Sequence, residues 1–198
     1  LEIIKMHNRE AWLTAAVTAL EKKLFLPRLL PMPSRWRISC SWPTRRAVAK
    51  KGGGKTIGQC FSAEASADNT HELIISMSQD DPSEIMAIVA HEMVHAAIGV
   101  SQGHNKVFRS LAVAIGLTGK MTATVAGEAF KRDVASILLE LGEYPHAAIN
   151  PSAVAKQTTR MVKMECSDCR YIARTSRANI QKSGPAICPC NRRPMRVS

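Results

Sequence analysis

His91-Glu92-Met93-Val94-His95, with Gly103-His104 downstream, is the stretch around which the rest of the chain is read. On a helix, side chains four residues apart project from one face, so His91 and His95 can offer their imidazoles to one metal ion. Glu92 lies one step round the same turn, where its carboxylate can reach a water held at that metal and act as general base. A catalytic zinc takes three protein ligands and leaves a fourth position open; His104 is the candidate third ligand. Three of the 6 histidines fall between positions 91 and 104, a clustering that packing alone does not account for. Taken singly, each ring also has an ordinary reading as a hydrogen-bonded core or turn residue.

The flanking residues supply the frame. Asp80-Asp81-Pro82-Ser83-Glu84 reads as a helix start, with an Asp cap, Pro at the first helical position and acid in the first turn. Ile85 to Ile98 is apolar on nearly every side apart from His91, Glu92 and His95, so those polar groups are expected to be buried and to need partners. Gly99 offers a stop and Ser101-Gln102-Gly103 a turn. A second helical pattern then begins near His104, with Val107, Phe108, Leu111, Ala112 and Ile115 on one face. A helix start favours the neutral, ligating form of His104 because the dipole opposes a cation there.

Upstream, residues 8–25 open on Asn8 as a cap and place Trp12, Leu13, Ala16, Val17, Leu20 and Leu24 on a packing face. The runs Trp36 to Trp42, Thr56 to Phe61 and Glu72 to Met77 are short, β-prone and bounded by turn residues, which predicts three strands. The fold class that results is α+β, a small three-stranded sheet packed on helices. Leu73 to Met77 is either an ordinary interior strand or an edge to which an extended substrate adds. Gly54-Lys55-Thr56 does not complete a phosphate loop, since Ala49 stands where that motif needs its first glycine. Thr44 to Lys55 is expected as an exposed basic hairpin loop, with contact to a phosphate backbone as the alternative. Residues 116–127 carry small residues and Thr118, Lys120 and Thr122. A further helix is predicted over 128–141, with Phe130, Val134, Ile137, Leu138 and Leu141 on its apolar side. Nothing in the sequence places Tyr144 or His146 near the metal.

The tail carries a second set of ligands. Cys166-Ser167-Asp168-Cys169 and Cys188-Pro189-Cys190 are two cysteine pairs at a separation suited to a zinc ribbon, in which four thiolates close a structural site. The second pair has one spacer residue where the usual ribbon has two; disulfides are the alternative. Cys40 and Cys60, in predicted strands, are expected as buried free thiols. Net charge is +11, and residues 151–198 carry ten Lys or Arg against two acidic residues. That field favours an anionic polymer, with a merely solubilising surface as the bland reading. Arg170, Arg174, Arg177, Lys182, Arg192 and Arg193 are the candidate nucleic-acid contacts, within a basic surround that also includes Arg160, Lys163 and Arg196. Two domains follow, 1–150 around the histidines and 151–198 as the basic ribbon.

His91-Glu92-Met93-Val94-His95-Ala96-Ala97, with Gly103-His104 and Phe108, resembles the SprT-like family, which includes the Spartan DNA-dependent metalloproteases. The similarity covers about residues 35–116, and a cysteine-paired ribbon after the protease domain also occurs in that family. The resemblance implies a zincin-like minimal metalloprotease core, His91, His95 and His104 as zinc ligands and Glu92 as general base. It further implies proteolysis of proteins bound or crosslinked to DNA, and the compact chain ending in a ribbon is similar to bacterial and phage-encoded members.

The expected protein is therefore a zinc-dependent endopeptidase with one catalytic and one structural Zn2+, acting on protein substrates in association with DNA. Two other classes stay open: a nucleic-acid-binding protein with two structural zinc sites, and a regulatory protein that has lost proteolysis. No apolar run reaches the length of a membrane span, and Leu1-Glu2-Ile3-Ile4-Lys5 does not begin a signal peptide, so a soluble cytoplasmic or nucleoid-associated protein is expected.

Overall fold

The side chain of Asn8 accepts from the backbone N–H groups of Glu10 and Ala11 and so caps α1 (Arg9–Leu20). Trp12, Leu13, Ala16, Val17 and Leu20 are buried, and a π-helical turn, Glu21–Phe25, extends the same face through Leu24 and Phe25. The structure, a computed structural model, describes residues 8–44, 55–153 and 161–198. Leu1 to Lys5, most of the basic loop after Thr44, and Arg160 lie outside the described residues. Among those described, the chain is mixed α+β, with five α-helices and three small sheets. It divides into two compact units, Leu1–Ser152 and Ala153–Ser198.

In the first unit, β1 (Trp36–Ser41), β2 (Gly58–Phe61) and β3 (His71–Ser76) form a sheet in the order β1-β3-β2. β3 pairs parallel with β1 and antiparallel with β2. Both of its edges are therefore used, which corrects the expectation that Leu73 to Met77 offers an edge to a substrate strand. β1 and β2 do not pair with each other; each pairs with β3. Ile38, Leu73 and Cys60 stand in one cross-strand row and Cys40, Ile75 and Gly58 in the next, and every member of these rows except Gly58 is buried. α1 packs on β1, and α2 (Pro82–Ile98) packs on β2 and β3.

The remaining elements close the core over α2. Asp81 caps that helix by accepting from the Glu84 N–H, Pro82 begins it, and Gly99, at φ 92°, ends it. α3 (Lys106–Ala114) follows a short 3-10 turn and buries Phe108 and Ala112, with Ile115 just beyond. Val107, expected on the packed face, is 49% exposed; Phe108, Ala112 and Ile115 suffice for the narrow contact of so short a helix. Residues 117–126 form a hairpin, β4 (Leu117–Lys120) paired with β5 (Ala123–Ala126). α4 (Glu128–Leu141) buries Phe130, Val134, Ile137 and Leu141. No described helix is long and apolar enough to cross a membrane.

The second unit is a sheet of order β7-β6-β8, from β6 (Val162–Glu165), β7 (Ile172–Thr175) and β8 (Arg196–Val197), with α5 (Arg177–Ser183) between β7 and β8. Its buried cluster is Met164, Cys166, Cys188 and Met195. Four residues are too little apolar surface to stabilise a domain of this size alone, which is where a metal staple has its place.

Candidate metal centres

α2 places His91 and His95 one turn apart, and the turn at Gly99–Gly103 brings the chain back to deliver His104. His104 Nε2 lies 3.2 Å from His91 Nε2 and 3.2 Å from His95 Nε2. The three rings also pack on Phe108, at centroid distances of 4.8, 4.5 and 4.9 Å. A neutral imidazole nitrogen offers one proton or one lone pair, so His104 Nε2 cannot make two good hydrogen bonds at once. A cation accepting one lone pair from each ring resolves the conflict. Imidazoles about 2.0–2.1 Å from a tetrahedral zinc stand about 3.3–3.4 Å apart, so the observed spacing fits such an ion.

Burial sets the charge of these groups. It holds His91 down at about 3, helped by the neighbouring rings of His95 and His104, and His95 down at about 4. The exposed His104 is also lowered, again by partial desolvation. His104 is not itself in the helix: Asn105 caps α3, accepting from the Val107 and Phe108 N–H groups, and desolvation takes the role expected of the dipole. All three rings are therefore neutral at neutral pH, with lone pairs available.

Glu92 is 5% exposed, and no ion pair or side-chain hydrogen bond engages its carboxylate among the described residues. Burial pushes it up to about 8. A cation nearby reverses that shift by favouring the charged form. Glu92 and His91 line one cleft of about 110 Å³, together with Gly58 and Thr124. A larger, more apolar groove of about 420 Å³ is also lined by Ile57, Ile88 and Thr124 and extends along Ala87, Val125 and Ala126.

Two residues of this site had no signal in the motif. A Cβ on Gly58 would run into Glu92 Oε1 and stand 2.6 Å from Ile88 Cγ2, so glycine leaves room for the carboxylate where it lies and any side chain there would push it aside. Thr124, in β5, places its Oγ1 2.8 Å from His91 Nδ1. Thr124 lies in the run Thr122-Ala123-Thr124-Val125-Ala126, whose three β-branched residues fit a strand but carry no sign of the contact with His91. Tyr144 and His146 are engaged elsewhere. Tyr144 packs edge-on against Trp12 at 5.1 Å, and the His146 ring nitrogens bond to Arg9 and to the Met77 carbonyl oxygen.

The ribbon cysteines form the second group, with ligand atoms within 4.8 Å of one another. Cys166–Cys190 and Cys169–Cys188 are separated by 3.6 Å between sulfurs, and Cys188–Cys190 by 3.4 Å. A disulfide is about 2.0 Å long, whereas thiolates on a tetrahedral zinc stand about 3.8 Å apart, so these are free thiols spaced for a metal. The amide N–H groups of Cys169 and Asp168 pull the Cys166 thiol down to about 6. Cys40 and Cys60 are buried free thiols, and burial pushes Cys60 up to about 12.

The unequal spacing of the two pairs has a geometric account. Cys166 pairs with Tyr171 and accepts from Arg170, and Cys188 pairs with Arg193 and accepts from Arg192 in the same backbone pattern. Arg170 and Arg192 both have positive φ, 62° and 55°. The knuckles are thus equivalent, but the second supplies its ligand one residue early. Asn191 stands where the first knuckle has Cys169, and its Nδ2 donates to Cys166 Sγ at 3.6 Å and to Asp168 at 2.7 Å. Arg170, Arg174, Arg177, Lys182, Arg192 and Arg193 are all exposed, whereas Lys163 is half-buried and paired with Glu165.

No family model, no curated protein and no solved structure matches the chain.

Proposed function

We propose that this protein is a zinc-dependent endopeptidase of the SprT-like type, with a zincin-like core, that acts on proteins bound or crosslinked to DNA. The observation that carries the reading is the convergence of three neutral imidazoles on one point with the buried carboxylate of Glu92 in the adjoining cleft. A structural zinc site has no use for such a carboxylate. Zinc held by His91, His95 and His104 would supply Lewis-acid polarisation of a peptide carbonyl and a place for water. Glu92 accepts the proton of the attacking water and passes it to the departing amine. The second zinc, on Cys166, Cys169, Cys188 and Cys190, is structural. The exposed arginines of the ribbon, with Lys182, engage phosphates and bring the protease to its substrates.

The test is an incubation of the purified, zinc-loaded protein with DNA and a DNA-binding protein. The parent chain is expected to cleave in a DNA-stimulated manner, and Glu92→Gln to keep its zinc while losing cleavage. Unchanged turnover in Glu92→Gln rejects Glu92 as the base. Absence of cleavage in a parent chain that holds both metals and binds DNA favours the non-catalytic binder.

A further inference from the structure

We infer that Thr124 is the positioning residue of the histidine site: its hydroxyl holds the ring of His91 by Nδ1, so that Nε2 stays turned toward the point where the other two rings converge. The inference rests on the metal-site reading above and concerns how this chain makes one of its ligands competent.

A neutral imidazole has one protonated nitrogen, and a nitrogen that binds metal must be the other one. His91 Nε2 points at His104 Nε2, so the proton of a ligating His91 belongs on Nδ1. There the hydroxyl oxygen of Thr124 receives it at 2.8 Å. The other two ligands lack this arrangement. His95 Nδ1 is buried with no partner among the described residues, and His104, whose Nε2 faces the other two rings, has no side-chain partner on its Nδ1 among them. Thr124 is therefore the one side chain that holds a ligand ring by its far nitrogen at this site among the described residues; its hydroxyl fixes the ring's orientation and accepts the Nδ1 proton once Nε2 binds metal.

The hairpin is built to hold that oxygen still. Gly127 N–H donates to the Gly116 carbonyl at 3.0 Å and closes the base, and the register sets Thr124 opposite Gly119. Alternation along β5 leaves Ala123 and Val125 exposed while Thr124 and Ala126 are half-buried, and β5 packs against α2. A β-branched residue has few χ1 options, so the hydroxyl has little freedom to leave the ring. A partner of this kind on a metal-bound histidine fixes the ring and raises its basicity, and its loss weakens metal binding by about 10–100-fold.

The experiment is a Co2+ and Zn2+ titration of the full chain and of Thr124→Val and Thr124→Ser. The thiolate-to-cobalt charge-transfer band of the cysteine site serves as an internal reference. Thr124→Val keeps the shape and the β-branch but removes the acceptor. It is expected to lower affinity at the histidine site by about 10–100-fold, with the cysteine band and the thermal midpoint of the metal-free chain unchanged. Thr124→Ser is expected to restore affinity close to that of the parent. Equal affinity in parent and Thr124→Val overturns the inference and leaves the endopeptidase proposal standing. A lower thermal midpoint in Thr124→Val with no selective loss at the histidine site also overturns it, in favour of a packing role. A parent chain that binds metal at the cysteines alone removes both.

Discussion

The room made by Gly58 is the narrowest condition on the site. A methyl group there overlaps Glu92 Oε1 and comes within 2.6 Å of Ile88 Cγ2, so one or both side chains must move. Gly58→Ala is expected to displace the Glu92 carboxylate, cutting proteolysis at least about tenfold, at a stability cost of about 1–3 kcal/mol from overpacking. Zinc content should stay at the parent level, because the ligand nitrogens lie elsewhere in the site. Turnover assays alongside urea unfolding and metal analysis check this; full activity in the variant would show that Glu92 has more freedom than the packing allows. His91, Glu92, His95 and His104 were legible in the sequence because helical spacing alone puts two rings on one face. Gly58 and Thr124 were not, since each acts through a contact between elements that no local pattern encodes.

At the scale of elements, α1, α2 and α4 could be read from the chain because each joins an apolar period to a chemical start or stop: Asn8, Asp81-Pro82 and Gly142. Asn8→Ala is expected to cost about 1 kcal/mol, measurable by urea unfolding, as it leaves the Glu10 and Ala11 N–H groups without their acceptor. The β4–β5 hairpin is weakly marked in the sequence because each four-residue strand carries a single large apolar residue, Leu117 or Val125, among glycine, threonine, alanine and lysine. The order β1-β3-β2 was equally hidden, since pairing depends on partners distant in sequence. In the ribbon, the Cys-Pro-Cys pair has one spacer residue fewer than the usual knuckle, and the knuckle geometry absorbs the difference. Arg192 occupies a left-handed backbone position, φ 55°, which glycine adopts without strain. Arg192→Gly is therefore expected to leave the ribbon as stable or up to about 1 kcal/mol more so. It should also weaken DNA binding and flatten its salt dependence by about one phosphate contact. Thermal melts and binding at several salt concentrations test the two halves; a destabilised ribbon with unchanged DNA affinity would contradict both.

For the whole molecule, the two units have different sources of stability. Among the described residues, the first unit contains a continuous core from Trp12 to Tyr144, whereas the tail buries four, two of them cysteines. Chelation is expected to unfold the tail while the helical signal of the first unit persists, and re-addition of zinc should restore it. Circular dichroism with exchange-resolved mass measurement separates the two, and a tail that keeps its protection without metal would place its stability elsewhere. The most direct measurement of the central claim is the number of metal ions held per chain, counted by native mass spectrometry in the parent and in His104→Ala. Two ions in the parent and one in the variant are predicted. A parent that holds a single ion, or a variant that keeps both under the same conditions, would contradict the three-histidine site on which the proposed chemistry stands.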